Sequence, residues 1–197
     1  MSTLSKQFRN KMTSRGKSLK VLAIIQARLT NTRLPKKILA LIGDKTLIEH
    51  CVRNTRKSLW VDDVVVASPH YIPVYFDAHR FIGNEEDVLD RYYQCAKEFQ
   101  GDVIVRITSD CPFIDPDIID EAVEFYFRTD HEFSRFAPID GLDVEVFSFK
   151  LLEEAWKKAK DPEDREHVTP YMIRKTKLSV DTLADLKKAR RWYGLHK

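Results

Sequence analysis

The chain has 197 residues, 43% hydrophobic, 11% aromatic and 32% charged, a balance that excludes both a disordered chain and a small disulfide-stapled scaffold. Its net charge of +3 hides an asymmetry: residues 1–20 carry six Lys or Arg and no acid, leaving 27 basic against 30 acidic residues beyond them. A basic tail on a mildly acidic body argues against a nucleic-acid-binding domain, whose cations would line a folded face.

Residues 1–18 read as a disordered basic leader, and 19–197 as one domain. The longest apolar run, Val21 to Ile25, falls far short of the roughly 20 residues of a membrane span. It also ends too soon, at Gln26 and Arg28, for a secretory core. Cys51, Cys95 and Cys111 show neither paired nor metal-ligand spacing, so the expected compartment is a reducing cytoplasm.

VLAII at 21–25 is β-rich and reads as a strand buried on both faces. A basic loop follows, and then Thr46 with Glu49 forms a capping box that opens a helix over 46–58. VVVA at 64–67 gives a second strand. Val88, Leu89, Tyr92, Tyr93, Ala96 and Phe99 mark the buried side of a helix over 85–99. DVIVRIT at 102–108 is the third strand, ending in Ser109-Asp110-Cys111-Pro112.

Asp115 caps the next helix, with Pro116 at its first position, where proline is best tolerated. LDVEVF at 142–147 alternates as a half-buried strand. Ser148 caps a helix carrying Leu151, Leu152, Ala155, Trp156 and Ala159 on one face, and Asp161-Pro162 opens another. A short strand at 178–180 and a closing helix from Thr182 complete the pattern. The alternation predicts an α/β fold, a Rossmann-like three-layer α/β/α sandwich with a mostly parallel sheet.

Ligands of open α/β sheets bind beyond the carboxyl ends of the strands. After the first strand lie Arg28, Arg33, Lys36 and Lys37, the guanidinium and ammonium groups that a polyphosphate requires. The same loop also reads as a solvated basic turn. After the third strand stands Asp110, placed either to hold a magnesium ion against phosphate oxygens or to cap a turn before proline. A P-loop, a dinucleotide-binding glycine motif and a GxSxG elbow are all missing. Cys111 reads as a packing residue, and His50 and His70 as surface or packing residues.

QARLTNTRLPKKIL resembles the signature of the sugar-acid cytidylyltransferases, the family of spore-coat polysaccharide protein F, related to the CMP-acylneuraminate and CMP-Kdo synthetases. NEEDVLDRYYQCAKE, DVIVRITSDCPFIDPDIID, GLDVEVFSF, DREHVTPY and SVDTLADLKKAR extend the resemblance over roughly residues 20–192. It implies a nucleotide-diphospho-sugar transferase fold. It also implies Mg²⁺-dependent transfer of CMP from CTP to a small sugar-acid acceptor, with release of pyrophosphate, for surface polysaccharide or glycan synthesis.

On this resemblance Arg28, Arg33 and Lys37 are the catalytic cations. Ala27, Arg28, Asp87, Arg91 and Thr108 bind the nucleotide, and Asp143, Glu145, Arg165, Glu166 and His167 face the acceptor. Asp110 and Asp181 hold the metal. The expected partners are CTP and the acceptor, without nucleic acid or a membrane span, and a homodimer stays open as the assembly.

Some positions depart from the family form QARMGSTRLPGKVL. Thr30 and Asn31 replace Gly-Ser, Lys36 replaces the glycine before Lys37, and Ser109 replaces a glycine beside Asp110. Asn31 is the substituted residue best suited to left-handed backbone. The family usually places a further helix between Ala67 and Gly83 and a longer connection between Tyr171 and Ser179. Two rival readings stay open: a degenerate homologue that binds a nucleotide or partner without turnover, and a glycosyltransferase of related fold.

Overall fold

The computed structural model describes residues 18–73, 75, 77–129, 131–137 and 139–177. The leader, the strand expected at 178–180, Asp181 and the closing helix lie outside the described residues or, for the leader, almost wholly so.

Strand β1 (Val21–Gln26) is buried along nearly its whole length, as its unbroken apolar run requires. A single 3-10 turn (Lys37–Leu39) and a two-stranded hairpin, β2 (Leu41–Ile42) with β3 (Lys45–Thr46), lead into helix α1 (Leu47–Thr55). The capping box at its start is present: the Glu49 carboxylate accepts from Thr46 N at 2.8 Å, and Thr46 Oγ1 accepts from Glu49 N at 3.4 Å. Strands β4 (Asp63–Ser68) and β5 (His79–Ile82), helix α2 (Val88–Glu98), strand β6 (Val103–Thr108) and helix α3 (Pro116–Arg128) follow. Strands β7 (Phe133–Phe136) and β8 (Val144–Ser148) then precede helices α4 (Phe149–Lys158), α5 (Pro162–His167) and α6 (Pro170–Thr176).

The main sheet has six strands in the order β5-β4-β1-β6-β8-β7. β5, β4, β1 and β6 run parallel, whereas β8 is antiparallel to both β6 and β7. One face, carrying Ala23, Ile25, Val64 and Val105, packs on Ile48 and Val52 of α1 and Ile119 and Val123 of α3. The other, carrying Leu22, Ile24, Val65 and Ile104, packs on Leu89 and Tyr92 of α2, Leu151 and Leu152 of α4, and Met172 of α6. The expected three-layer α/β/α sandwich with a mostly parallel sheet is therefore present. No helix among the described residues is long and apolar enough to cross a membrane.

The strand expected over 142–147 is Val144–Ser148, and two expected helix boundaries move further. The helix expected over 46–58 ends at Thr55, because the chain turns there to let Ser58 Oγ donate to the Asp120 carboxylate of α3 at 2.5 Å. The same carboxylate accepts the backbone N–H groups of Leu59 at 3.0 Å and Trp60 at 3.3 Å. The helix expected from residue 85 begins at Val88, because Asp87 is its N-cap and accepts from Asp90 N at 2.9 Å.

Asp120→Ala removes the acceptor of the Leu59 amide and the Ser58 hydroxyl, while Trp60 N keeps Ser58 Oγ at 3.3 Å, and unpaired polar groups of this kind cost roughly 2 kcal/mol. We expect a lower urea midpoint at unchanged m-value, checked by equilibrium unfolding; an unchanged midpoint means that water replaces the carboxylate at no cost.

Candidate active site

The β1–β6 pairing sets Gln26 beside Thr108, so the loops after these strands emerge on one rim. Ser109 N donates to Gln26 O at 3.0 Å and carries the ladder one residue past the strand ends. On the other flank Ala27 N donates to Ala67 O at 3.0 Å, which ties the first loop to the end of β4. Above this rim opens a cleft of about 390 Å³. Arg28, Thr30, Asn31 and Lys37 line it from the first loop and the 3-10 turn, and Thr108, Ser109 and Asp110 from the end of β6. Glu85, Glu86 and Arg91 line the side towards α2, and Glu166 and His167 the end of α5.

The basic loop is folded rather than splayed. Asn31 Oδ1 accepts from Arg33 N at 3.1 Å and Leu34 N at 3.4 Å, and Lys36 N donates to Leu29 O at 3.1 Å. The left-handed residue is Lys36, with φ 55° and ψ 27°, and not Asn31, whose side chain instead closes an Asx turn. The chain thus bends where the resembled signature has glycine, and the bend delivers Lys37 to the second loop. Lys37 Nζ donates to Asp110 Oδ2 at 2.6 Å. Burial raises the Asp110 carboxyl, but hydrogen bonds from Lys37 and Thr108 outweigh it and hold the group below the ordinary carboxylate range. This contribution to stability is complete above the ordinary Asp pKa and is lost only as pH falls through the lowered one.

Arg28 is exposed at the mouth and makes no ion pair among the described residues. Arg91 is 1% exposed, and its guanidinium donates to Asn84 O at 2.6 Å while Nε has no acceptor among the described residues. Burial lowers its pKa, and the Arg28 cation adds to that effect. Gly83 makes room for it: a Cβ there would meet Arg91 Cγ at 2.9 Å and Phe81 Cε1 at 2.8 Å.

Of the residues singled out in the sequence, Arg28, Lys37, Arg91, Thr108, Asp110, Glu166 and His167 meet in the cleft. Arg33 is exposed on the outer side of the loop, and Ala27 is buried beneath it. Asp87 and Arg165 pair with each other, and Arg165 also donates to Trp156 O at 2.8 Å, pinning α5 to the start of α2. Asp143 pairs with Arg135 at 3.0 Å. Glu145 is buried against Arg106 at 2.6 Å. Asp181 lies outside the described residues.

Gln26, at the end of β1, and Glu85 and Glu86 also line the cleft; the two acids carry no spacing rule that distinguishes them in the sequence from solvated turn residues. Among the described residues no group of three or more His, Cys, Asp or Glu side chains could hold a metal ion. One carboxylate, Asp110, together with ligand phosphates and waters, is nonetheless a donor set that Mg²⁺ accepts.

Residues 22–191 match the family model of the cytidylyltransferases. Among curated proteins, an uncharacterised protein of Methanocaldococcus jannaschii is 40% identical over 78% of this chain and 67% of its own length. The spore coat polysaccharide biosynthesis protein SpsF of Bacillus subtilis is 33% identical over 77% of this chain and 69% of its own. Among solved structures, a cytidylyltransferase of Leptospira borgpetersenii superposes with a TM-score of 0.70 at 30% identity, covering 85% of this chain and 84% of that one. A CMP:2-keto-3-deoxy-manno-octonic acid synthetase complexed with CTP superposes at 0.63 with 16% identity, covering 90% and 100%, a likeness of fold.

Left-handed backbone costs an L-residue such as Lys36 roughly 1–2 kcal/mol relative to glycine's freedom there. Lys36→Gly should therefore raise the thermal midpoint, where glycine at an ordinary exposed site would lower it. A melting curve with Lys57→Gly, at an exposed turn residue, as control decides the matter.

Proposed function

We propose, on the premise that the chain belongs to the cytidylyltransferase family, that this cleft takes CTP and transfers CMP to a hydroxyl of a sugar or sugar acid, releasing pyrophosphate. The product would serve surface polysaccharide or glycan synthesis, the context that the name of the Bacillus subtilis relative suggests. The observation that carries the reading is the meeting of Lys37 and Asp110 at 2.6 Å on the rim where β1 and β6 end, in a cleft that Arg28 also lines without an ion pair among the described residues. That rim joins cations for a triphosphate to a carboxylate suited to a phosphate-bound ion.

In the proposed reaction the acceptor hydroxyl oxygen forms a bond to the α-phosphorus and gives up its proton to solvent, while the bond to the bridging oxygen breaks and the electron pair leaves with pyrophosphate. Arg28 and Lys37 hold the leaving group as its charge grows, and they cost no reorganisation because the loop is already folded. Thr108 and Ser109 line the floor beneath the phosphates, and the buried Arg91 charge faces the side of the cleft towards α2. When bound, Mg²⁺ would be held by Asp110, with Asp181 as the second expected carboxylate, and would supply charge neutralisation at the phosphates. A cytoplasmic setting accords with three free, buried cysteines.

The rival reading, binding without turnover, rests on the lost glycines and the shortened segments. Lys36 retains the left-handed bend, which favours the active reading.

Incubation with each of the four NTPs, Mg²⁺ and a panel of sugar acids, read by pyrophosphate release, tests the proposal. CTP-dependent and acceptor-dependent release is expected; tight CTP binding with no release under any acceptor favours the non-catalytic homologue. Within that assay Lys37→Ala should lower kcat about a hundredfold, roughly 3 kcal/mol of barrier. Arg33→Ala, outside the cleft, should change it less than about threefold. Equal losses from both would mean that Arg33 swings inward in the complex.

A further inference from the structure

Arg106 interrupts an otherwise apolar strand, and its side chain is only 16% exposed. Directly opposite it in the β6–β8 ladder stands Glu145, 7% exposed at its side chain. A buried ion pair is a poor source of stability, since two apolar residues of similar volume usually serve as well. This pair is moreover tied in both directions. Arg106 Nη2 donates to Gln26 Oε1 at 3.2 Å, on the floor of the cleft, while its Nε has no acceptor among the described residues. Both Glu145 oxygens lie within reach of the Thr169 hydroxyl, at 3.2 and 3.3 Å, and Arg135 Nε approaches Glu145 at 3.9 Å.

Thr169 sits where α5 passes into α6, and the connection is strained. Val168, fully buried, has φ 70° and ψ −52°, and Thr169 N donates to His167 O at 2.8 Å across it. This is a γ-turn of the rare positive-φ hand, an unfavourable conformation for a β-branched residue. Such a conformation persists only where its surroundings over-determine it. Here they do so on both sides: Arg165 is pinned to Asp87 before the turn, and Thr169 is bonded to Glu145 after it. Glu166 and His167, the two residues that line the cleft from α5, lie between these anchors.

We infer that Arg106, Glu145 and Thr169 are positioning residues, a hydrogen-bonded chain that runs from the cleft floor at Gln26 and holds the Val168 turn so that Glu166 and His167 face the cleft. The inference rests on the proposed function only in taking this cleft as the reaction site. Neither Arg106 nor Glu145 lines the cleft; their charge serves orientation, and Thr169 transmits it.

The experiment uses the full chain with its six histidines followed by imidazole ¹H–¹⁵N correlation spectra, the His167 signal being assigned with His167→Gln. Thr169→Val keeps the side-chain volume and removes the hydroxyl, and Thr169→Ser keeps the hydroxyl. Glu145→Gln removes the charge but retains an acceptor. In Thr169→Val and Glu145→Gln the His167 signal is expected to move by more than its linewidth while His50, His70 and His79 stay in place, and Thr169→Ser should restore it.

By calorimetry CTP affinity should stay within about twofold, while the kcat of pyrophosphate release falls. A His167 signal unmoved in folded Thr169→Val overturns the inference, as does a loss of thermal stability that Thr169→Ser fails to rescue. If the wild-type protein releases no pyrophosphate, the proposed function fails, yet the spectra still decide whether the chain positions His167.

Discussion

The parallel pairing of β1 with β6 is the constraint on which the rest depends. Its register sets Gln26 opposite Thr108, and both chains leave the sheet at the same height. Everything charged that lies just after either strand is thereby brought together, although the two loops are far apart in sequence. Parallel strands need a long crossover between them and burial on both faces. Helices satisfy this demand, α1 and α3 on one side and α2, α4 and α6 on the other, and α2 also walls the cleft with Val88 and Arg91. Even the entry to β1 is secured by the flanking loops: Asp102 accepts from Lys20 N and Asp62 from Val21 N, each at 2.8 Å.

The parts of this arrangement visible in the sequence are those written in local patterns. The apolar runs of β1, β4 and β6, the capping box at Thr46, the Asp115-Pro116 start of α3 and the Ser148 cap of α4 all stand where composition and spacing put them. The elements that escaped notice have no such pattern. β5 is an edge strand with sequence HRFI and one neighbour, half exposed along its length. β7 is FSRF, and the β2–β3 hairpin has only two residues a side. Short, exposed edges of this kind are held by the strand beside them rather than by their own propensity.

The site divides in the same way. Residues next to strand ends, such as Arg28, Thr108 and Asp110, reach the cleft because topology puts them there, whereas Lys37 needs the bend at Lys36 as well. Asp87, Asp143, Glu145 and Arg165 were expected at the ligands on grounds of resemblance, and each is engaged with another charged side chain. Which of two distant charges pairs with which is a property of the packed structure, invisible in a linear pattern. The same blindness hid Arg106: a lone arginine in an apolar strand signals either an edge or a buried partner, and only the antiparallel register of β8 reveals the partner as Glu145.

The distribution of cost across the molecule follows from this. Most of the unfavourable features gather around the rim, whereas Gln100, left-handed with φ 54°, turns the chain just before the start of β6. Lys36 is left-handed, Val168 sits in a positive-φ turn, Arg91 is a buried cation pressed against Gly83, and Arg106 carries a buried charge. None of these is needed to fold a three-layer sandwich: glycine would relieve the backbone at Lys36, and two apolar residues in place of the Arg106–Glu145 pair would serve stability as well. Their common property is that each holds a chain segment or a charge at the edge of one cleft. Lys36 presents Lys37, Val168 turns the chain beside His167, Arg106 reaches Gln26, and Arg91 lies along the wall. Stability built in the apolar layers thus supports a rim whose geometry is fixed before any ligand arrives, as electrostatic catalysis of phosphoryl chemistry requires.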